Sequence, residues 1–133
     1  MKNISFYLTA GQLATIKATP YQFATMSDAP ALARVPRGFT VYKPAGTAYT
    51  VGTDARLEVK DDAGNLLFSV KAEGLLDSVD VQKRYIEPSG RAFSANSTAF
   101  KVSFVGSVSA ISGAGPDVHF GFYFDEVPMK EVQ

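Results

Sequence analysis

The sequence predicts an all-β domain: an antiparallel β-sandwich, jelly-roll-like or a partly closed barrel. Three observations predict it. Apolar residues recur at every second position along much of the chain, the period of a half-buried strand, whereas helical spacing does not recur. These short runs are separated by Gly- and Pro-containing stretches, the punctuation of sandwiches and barrels. The 133 residues include no cysteine, so neither a disulfide framework nor a thiolate metal site holds the fold, and the core must be apolar. A chain of this length buries roughly two-thirds of the surface its unfolded form exposes, enough for one domain over 1–133.

The elements follow in order. Ile4, Phe6 and Leu8 share one face of a first strand, leaving Tyr7 on the other. A second stretch, 13–18, follows Gly11 and ends before Pro20. Residues 26–38 hold two prolines and a glycine and read as a long connection carrying Arg34 and Arg37. A short strand over 39–43 is stopped by Pro44. Leu57 and Val59 alternate up to Asp61-Asp62-Ala63-Gly64-Asn65, after which Leu66, Phe68 and Val70 resume the alternation. Acidic residues entering a turn, with glycine where a left-handed residue is needed, predict a hairpin with a bulged loop. Residues 74–78 break the pattern as a corner, and 79–86 form a half-exposed strand with Lys83 and Arg84. Phe100, Val102 and Phe104 mark a strand over 98–105, and 106–117 is a loop of small residues with little to pack. Last, Val118, Phe120, Phe122 and Phe124 line one face of an anchoring strand. His119, Gly121, Tyr123 and Asp125 fall on its other face, and Pro128 begins a polar tail.

Charge narrows the function classes. Thirteen Lys/Arg balance thirteen Asp/Glu, which argues against a protein that neutralises a nucleic-acid backbone. Residues 1–60 hold seven basic and three acidic residues, and 61–133 hold six and ten. The halves either intermix within one domain or form opposite patches that dock neighbouring copies. No signal-peptide-like apolar segment and no run of membrane-spanning length occurs, so neither export by such a signal nor membrane insertion is expected.

No residue constellation identifies a chemistry. His119 is the only imidazole, and no serine sits in a nucleophile elbow. Asp77 and Asp80 are the carboxylates a hydrolase would use, but both flank a turn, where Asp serves the backbone. Asp61, Asp62 and Asn65 lack the spacing of a calcium loop. Around Gly113 and Gly115 there is no lysine of a phosphate loop. No cofactor is therefore expected. What remains is an aromatic-rich domain with ten Phe, six Tyr and no Trp. Tyr7 and Tyr123, opposite their strands' apolar rows, suit either a protein contact or ordinary strand propensity.

The stretch Pro44-Ala45-Gly46-Thr47-Ala48-Tyr49-Thr50-Val51-Gly52-Thr53-Asp54, with Arg56-Leu57-Glu58-Val59-Lys60, the Asp61–Asn65 turn, Leu67-Phe68 and Gly74-Leu75-Leu76-Asp77, resembles small virion proteins of tailed bacteriophages. That resemblance covers about residues 40–80 and carries no functional residues with it. It implies a capsid decoration or cement protein: a non-enzymatic structural protein of the virion, made in the host cytoplasm. Its partners would be capsid or other virion proteins and further copies of itself, a trimer by analogy. The residues expected to make protein contacts are Arg34 and Arg37, with the 106–116 loop, and then Tyr7, His119 and Tyr123. Two other readings stay open: a neck or tail component of the virion, and a carbohydrate-binding sandwich with Tyr42, Tyr49 and Tyr85 as its aromatic platform.

Overall fold

A computed structural model describes residues 2–25, 32–88, 94–95 and 99–128. Among these residues, nine strands and one short helix follow each other as β1 (Lys2–Leu8), α1 (Ala10–Leu13), β2 (Tyr21–Thr25), β3 (Leu32–Lys43), β4 (Arg56–Asp61), β5 (Leu66–Lys71), β6 (Gln82–Ile86), β7 (Ser94–Ala95), β8 (Ala99–Val105) and β9 (Val118–Pro128). With the two-residue β7 set aside, the strands pair first with last and inward from there: β1 with β9, β2 with β8, β3 with β6, β4 with β5. That is one long antiparallel ribbon whose closed end is the β4–β5 hairpin. Pairing of β9 with β3 and of β8 with β4 rolls the ribbon into two sheets, ordered β1-β9-β3-β6 and β2-β8-β4-β5. This order is that of a jelly roll. Both sheets keep free edges, so the fold is an antiparallel β-sandwich and not a closed barrel.

The hairpin forms as its sequence requires. Both oxygens of the buried Asp61 carboxylate are engaged: Oδ1 accepts from the amides of Ala63 (3.1 Å) and Asn65 (2.8 Å), and Oδ2 from Asn65 Nδ2 (3.0 Å). Gly64 takes φ 85°, a conformation that costs side-chain-bearing residues energy. A register shift between Val59 and Lys60 supplies the bulge.

The anchoring strand also faces as predicted. Val118, Phe120, Phe122 and Phe124 are all buried, whereas His119 is exposed. Phe122 lies in register between Ile4 and Phe39 within its sheet. Its ring reaches across the sandwich to Phe100 (4.8 Å between centroids), Phe23 (5.6 Å) and Phe68 (5.9 Å). Phe39 and Phe6 extend the stack to Phe68 and Phe23.

Three expectations are corrected. The stretch 13–18 is not a strand: residues 10–13 are a helical turn and 14–18 continue as turns, and Thr9 and Gln12 form a reciprocal capping box, each side chain bonding the other's backbone amide. The strand that follows is β2, beyond Pro20. Residues 32–38 are not a connection but the first half of β3, while 26–31 lie outside the described residues. The alternation was hidden because β3 bulges between Pro36 and Gly38. Pro36 opposes the inward Phe124 and Arg34 opposes Glu126, so Arg34 and Pro36 share the inward face that Phe39 and Val41 occupy after the bulge. A bulge is where a sheet tolerates proline. Finally, the 106–117 loop does pack, since Ile111 is fully buried and Val108 lies against the core.

Part of the charge asymmetry between the halves is neutralised inside the domain. Strand β9, from the acidic half, lies between β1 and β3 from the basic half. Glu126 pairs with Lys2 (3.1 Å) and Arg34 (3.4 Å), and Asp125 with Arg37 (2.6 Å).

Replacing Phe122 by Ala removes the ring that joins the two sheets and is expected to cost about 3–5 kcal/mol. Urea unfolding of the variant against the parent protein measures this, with the far-ultraviolet circular dichroism of both remaining that of a β protein.

Candidate functional site

The residues on the outer face of the β1-β9-β3-β6 sheet line up in rows across the strands. One row is Tyr7, His119, Tyr42 and Lys83, direct cross-strand partners on β1, β9, β3 and β6. The next is Ser5, Gly121, Thr40 and Tyr85, and the third contains Asn3, Tyr123 and Gly38. Ser5, Gly121 and Thr40, small residues between the Tyr7–His119–Tyr42 row and Tyr123, line a cleft of about 340 Å³, the size of a small-molecule site. Its lining includes Ser5, Tyr7, Thr40, Tyr42, His119 and Tyr123. Gly121 lies at its floor: a Cβ there would come within 2.6 Å of Thr40 Oγ1 and 3.2 Å of the Tyr123 ring, so one of those side chains would have to shift.

The sheet thus brings together three residues that the sequence marked for contact, Tyr7, His119 and Tyr123. His119 stands 5.9 Å from the Tyr7 ring and 6.0 Å from the Tyr42 ring, between centroids. Lys83 Nζ lies 5.3 Å from the centroid of Tyr42, a cation–π distance. Tyr7 is 52% exposed. Ser5, Thr40 and Gly121 were not singled out by sequence reasoning. Their only signal was the spacing that puts Gly121 between His119 and Tyr123 on one face of β9; the neighbours on β1 and β3 come from long-range register.

Arg34 and Arg37 stand elsewhere, and in a strand rather than a loop. Arg34 is only 3% exposed and pairs with Glu126, which makes it part of the interior's end and not a surface contact. Arg37 is exposed, and its hydrogen bond holds the Asp125 carboxyl below the usual carboxylate range. Of the three tyrosines proposed as a sugar platform, Tyr49 is not available: it is 2% exposed and its hydroxyl donates to the Pro116 carbonyl (2.8 Å). Burial raises its phenol pKa. Tyr85 is exposed but its hydroxyl donates to the Arg37 carbonyl. Asp77 accepts from the Gly74 amide (2.6 Å), as a turn residue does. Among the described residues, no three His, Asp or Glu side chains converge as metal ligands. No helix among them is long and apolar enough to cross a membrane.

A second organised surface lies at the end of the sandwich where β3 finishes and β9 begins. The loops 9–20, 44–55, 72–81 and 106–117 meet there and are tied to one another. Lys17 Nζ donates to the carbonyls of Gly106 and Val108, both at 2.6 Å. Thr50 and Ser112 exchange backbone hydrogen bonds, the Tyr49 amide donates to Leu76 and the Gly46 amide to Val79. Asp54 accepts from the Ser107 amide (3.0 Å) and hydroxyl (3.0 Å), bonds that lower its pKa, the amide bond first. Lys43, inward-facing and fully buried at the end of β3, donates to the Pro44 carbonyl (3.0 Å).

No protein-family model and no curated protein matches the chain. Among solved structures it is similar to a chain in the "Structure of infectious bursal disease virus Gx strain", with a TM-score of 0.36 and 13% sequence identity over 96% of this chain and 32% of that one. The likeness is thus to a virus structure, and the present chain spans about a third of the length of the viral chain it matches.

Because the native pKa of Asp54 is lowered, its contribution to stability is present above the unfolded carboxylate pKa of about 3.9 and is lost as pH falls through the lower native value. The difference in unfolding free energy between the parent protein and Asp54→Ala is therefore expected to shrink as pH is taken from neutral into that acid range. Urea titrations over a pH series measure it. Tyr49 has the opposite sign: its pKa is raised, so its stabilisation is present below about pH 10 and is lost as pH rises through the higher native value. Thermal unfolding of Tyr49→Phe should lose part of the alkaline sensitivity of the parent protein.

Proposed function

We propose that this chain is a non-enzymatic structural protein of a tailed-phage particle, a head decoration or cement protein that binds capsid subunits and neighbouring copies of itself. It would reside in the virion after synthesis in the host cytoplasm and would use no cofactor, nucleic acid or membrane. The observation that carries this reading is the cross-tied loop end of a jelly roll, an architecture that serves in viral capsids among other roles. A protein that staples a shell gains affinity when its contact surface is ordered before binding, because little conformational entropy is then lost on docking. The hydrogen bonds among 9–20, 44–55, 72–81 and 106–117 supply that order. They leave Ser107, Ser109 and the stretch 112–114 exposed at the surface.

Arg37 sits at the middle of β3, six residues from the loop end. Two separated contact points suit a molecule that bridges, with the loop end on the shell and Arg37 toward the next copy. A formal net charge of zero gives little long-range field to steer nucleic acid to it.

Purified phage particles carrying the gene should contain the chain at a regular copy number. Particles made without it should rupture at a lower temperature, and adding back purified protein should restore the parent value. Arg37→Glu should rebind more weakly while melting close to the parent protein, since an exposed ion pair contributes about 1 kcal/mol or less. Absence of the chain from purified particles would overturn the reading. Light scattering of the free protein over a concentration series tests the trimer.

A further inference from the structure

We propose that the outer face of the β1-β9-β3 sheet is a binding site for a neutral oligosaccharide, with two sugar-sized subsites on either side of the Tyr7 ring. The first is the 340 Å³ cleft over Gly121. A second cleft of about 320 Å³ adjoins it across strand β1, shares Ser5, Phe6 and Tyr7 with it, and continues to Thr9, Gln12 and Tyr21. Because β1 is an edge strand, nothing in the sheet closes this path, and a linear chain can pass over Tyr7 from one cleft to the other.

The chemistry of the lining selects the ligand. Tyr7, Tyr42, His119 and Tyr123 supply ring faces, whose negative quadrupole attracts the weakly positive C–H face of a pyranose. Ser5, Thr40 and the three tyrosines supply hydroxyls, each able to donate and to accept, as sugar hydroxyls require. These hydroxyls make no hydrogen bond to the protein among the described residues. In Tyr49 and Tyr85, by contrast, the hydroxyls are committed to backbone carbonyls. No carboxylate or guanidinium lines either cleft. Lys83, in register with Tyr42 on the neighbouring strand, is placed over the Tyr42 ring. An anionic ligand would find no arginine to pair with and a cation no carboxylate, which leaves a neutral polyol with apolar faces.

The site is independent of the virion reading, because it is measured on the free protein. Amide NMR spectra of the full chain are recorded with maltose, lactose, cellobiose or chitobiose at about 10 mM, above the roughly millimolar dissociation constants of weak sites. Sialyllactose serves as the charged comparison. At least one neutral sugar is expected to shift the amides of Tyr7, Tyr42, His119 and Gly121. Tyr7→Ala and His119→Ala, both at exposed positions, should each weaken that response about tenfold or more while leaving the melting temperature near the parent value. The proposal fails if no neutral sugar moves these amides, if the shifts fall elsewhere, if sialyllactose is preferred, or if the variants respond like the parent. It also fails if the same amides shift with protein concentration alone, which would make this face a contact between copies.

Discussion

The structure depends on one aromatic contact, that of Phe122 with the opposite sheet. Its ring meets Phe23, Phe68 and Phe100, which belong to three different strands of the β2-β8-β4-β5 sheet. Each such pair contributes about 0.5–1.5 kcal/mol beyond the burial of the rings themselves. The geometric consequence matters as much as the energy. A slip of β9 by one residue would turn His119, Tyr123 and Asp125 into the core and expose four large apolar side chains. The register of β9 against both β1 and β3 is therefore tightly specified, and with it the alignment of both sheets.

That same constraint builds the outer face. With Phe120 and Phe122 committed inward, His119, Gly121 and Tyr123 must face outward, and their partners on β1 and β3 follow from the pairing. Glycine at 121 lets the Thr40 hydroxyl and the Tyr123 ring come in over the strand, where a Cβ would meet them at 2.6 and 3.2 Å, so core packing and outer face are two sides of one strand's alternation. The loop end is organised by different means. Its segments contain mostly small residues and are held by hydrogen bonds to main-chain atoms, with Lys17 and Asp54 reaching across from neighbouring loops.

Arg34 and Arg37 show how position in the fold overrides residue type. The two are three residues apart and of one chemistry, yet the bulge between Pro36 and Gly38 leaves one buried against Glu126 and the other exposed beside Asp125. Their acids come from β9, so the basic first half and the acidic second half of the chain meet directly at these pairs.

Local sequence by itself determined the strand class, the hairpin at Asp61–Asn65 and the inward face of β9. Each depends only on period-two alternation or on turn chemistry within a few residues. The helical turn at 10–13 was also locally encoded, in the Thr9–Gln12 box, but its single turn is too short to show a periodicity. Tertiary structure alone decided the rest. The first half of β3 could not be read, because Pro36 and the bulge break the alternation and only β9 shows the strand's continuity. Burial of Tyr49 depended on the carbonyl of Pro116, 67 residues away in sequence. The cleft was half legible: Tyr7, His119 and Tyr123 stood out one by one, but their meeting with Ser5, Thr40 and Tyr42 is set by pairings between strands from opposite ends of the chain. Local propensity carries no information about such pairings; the packing of Phe122 does.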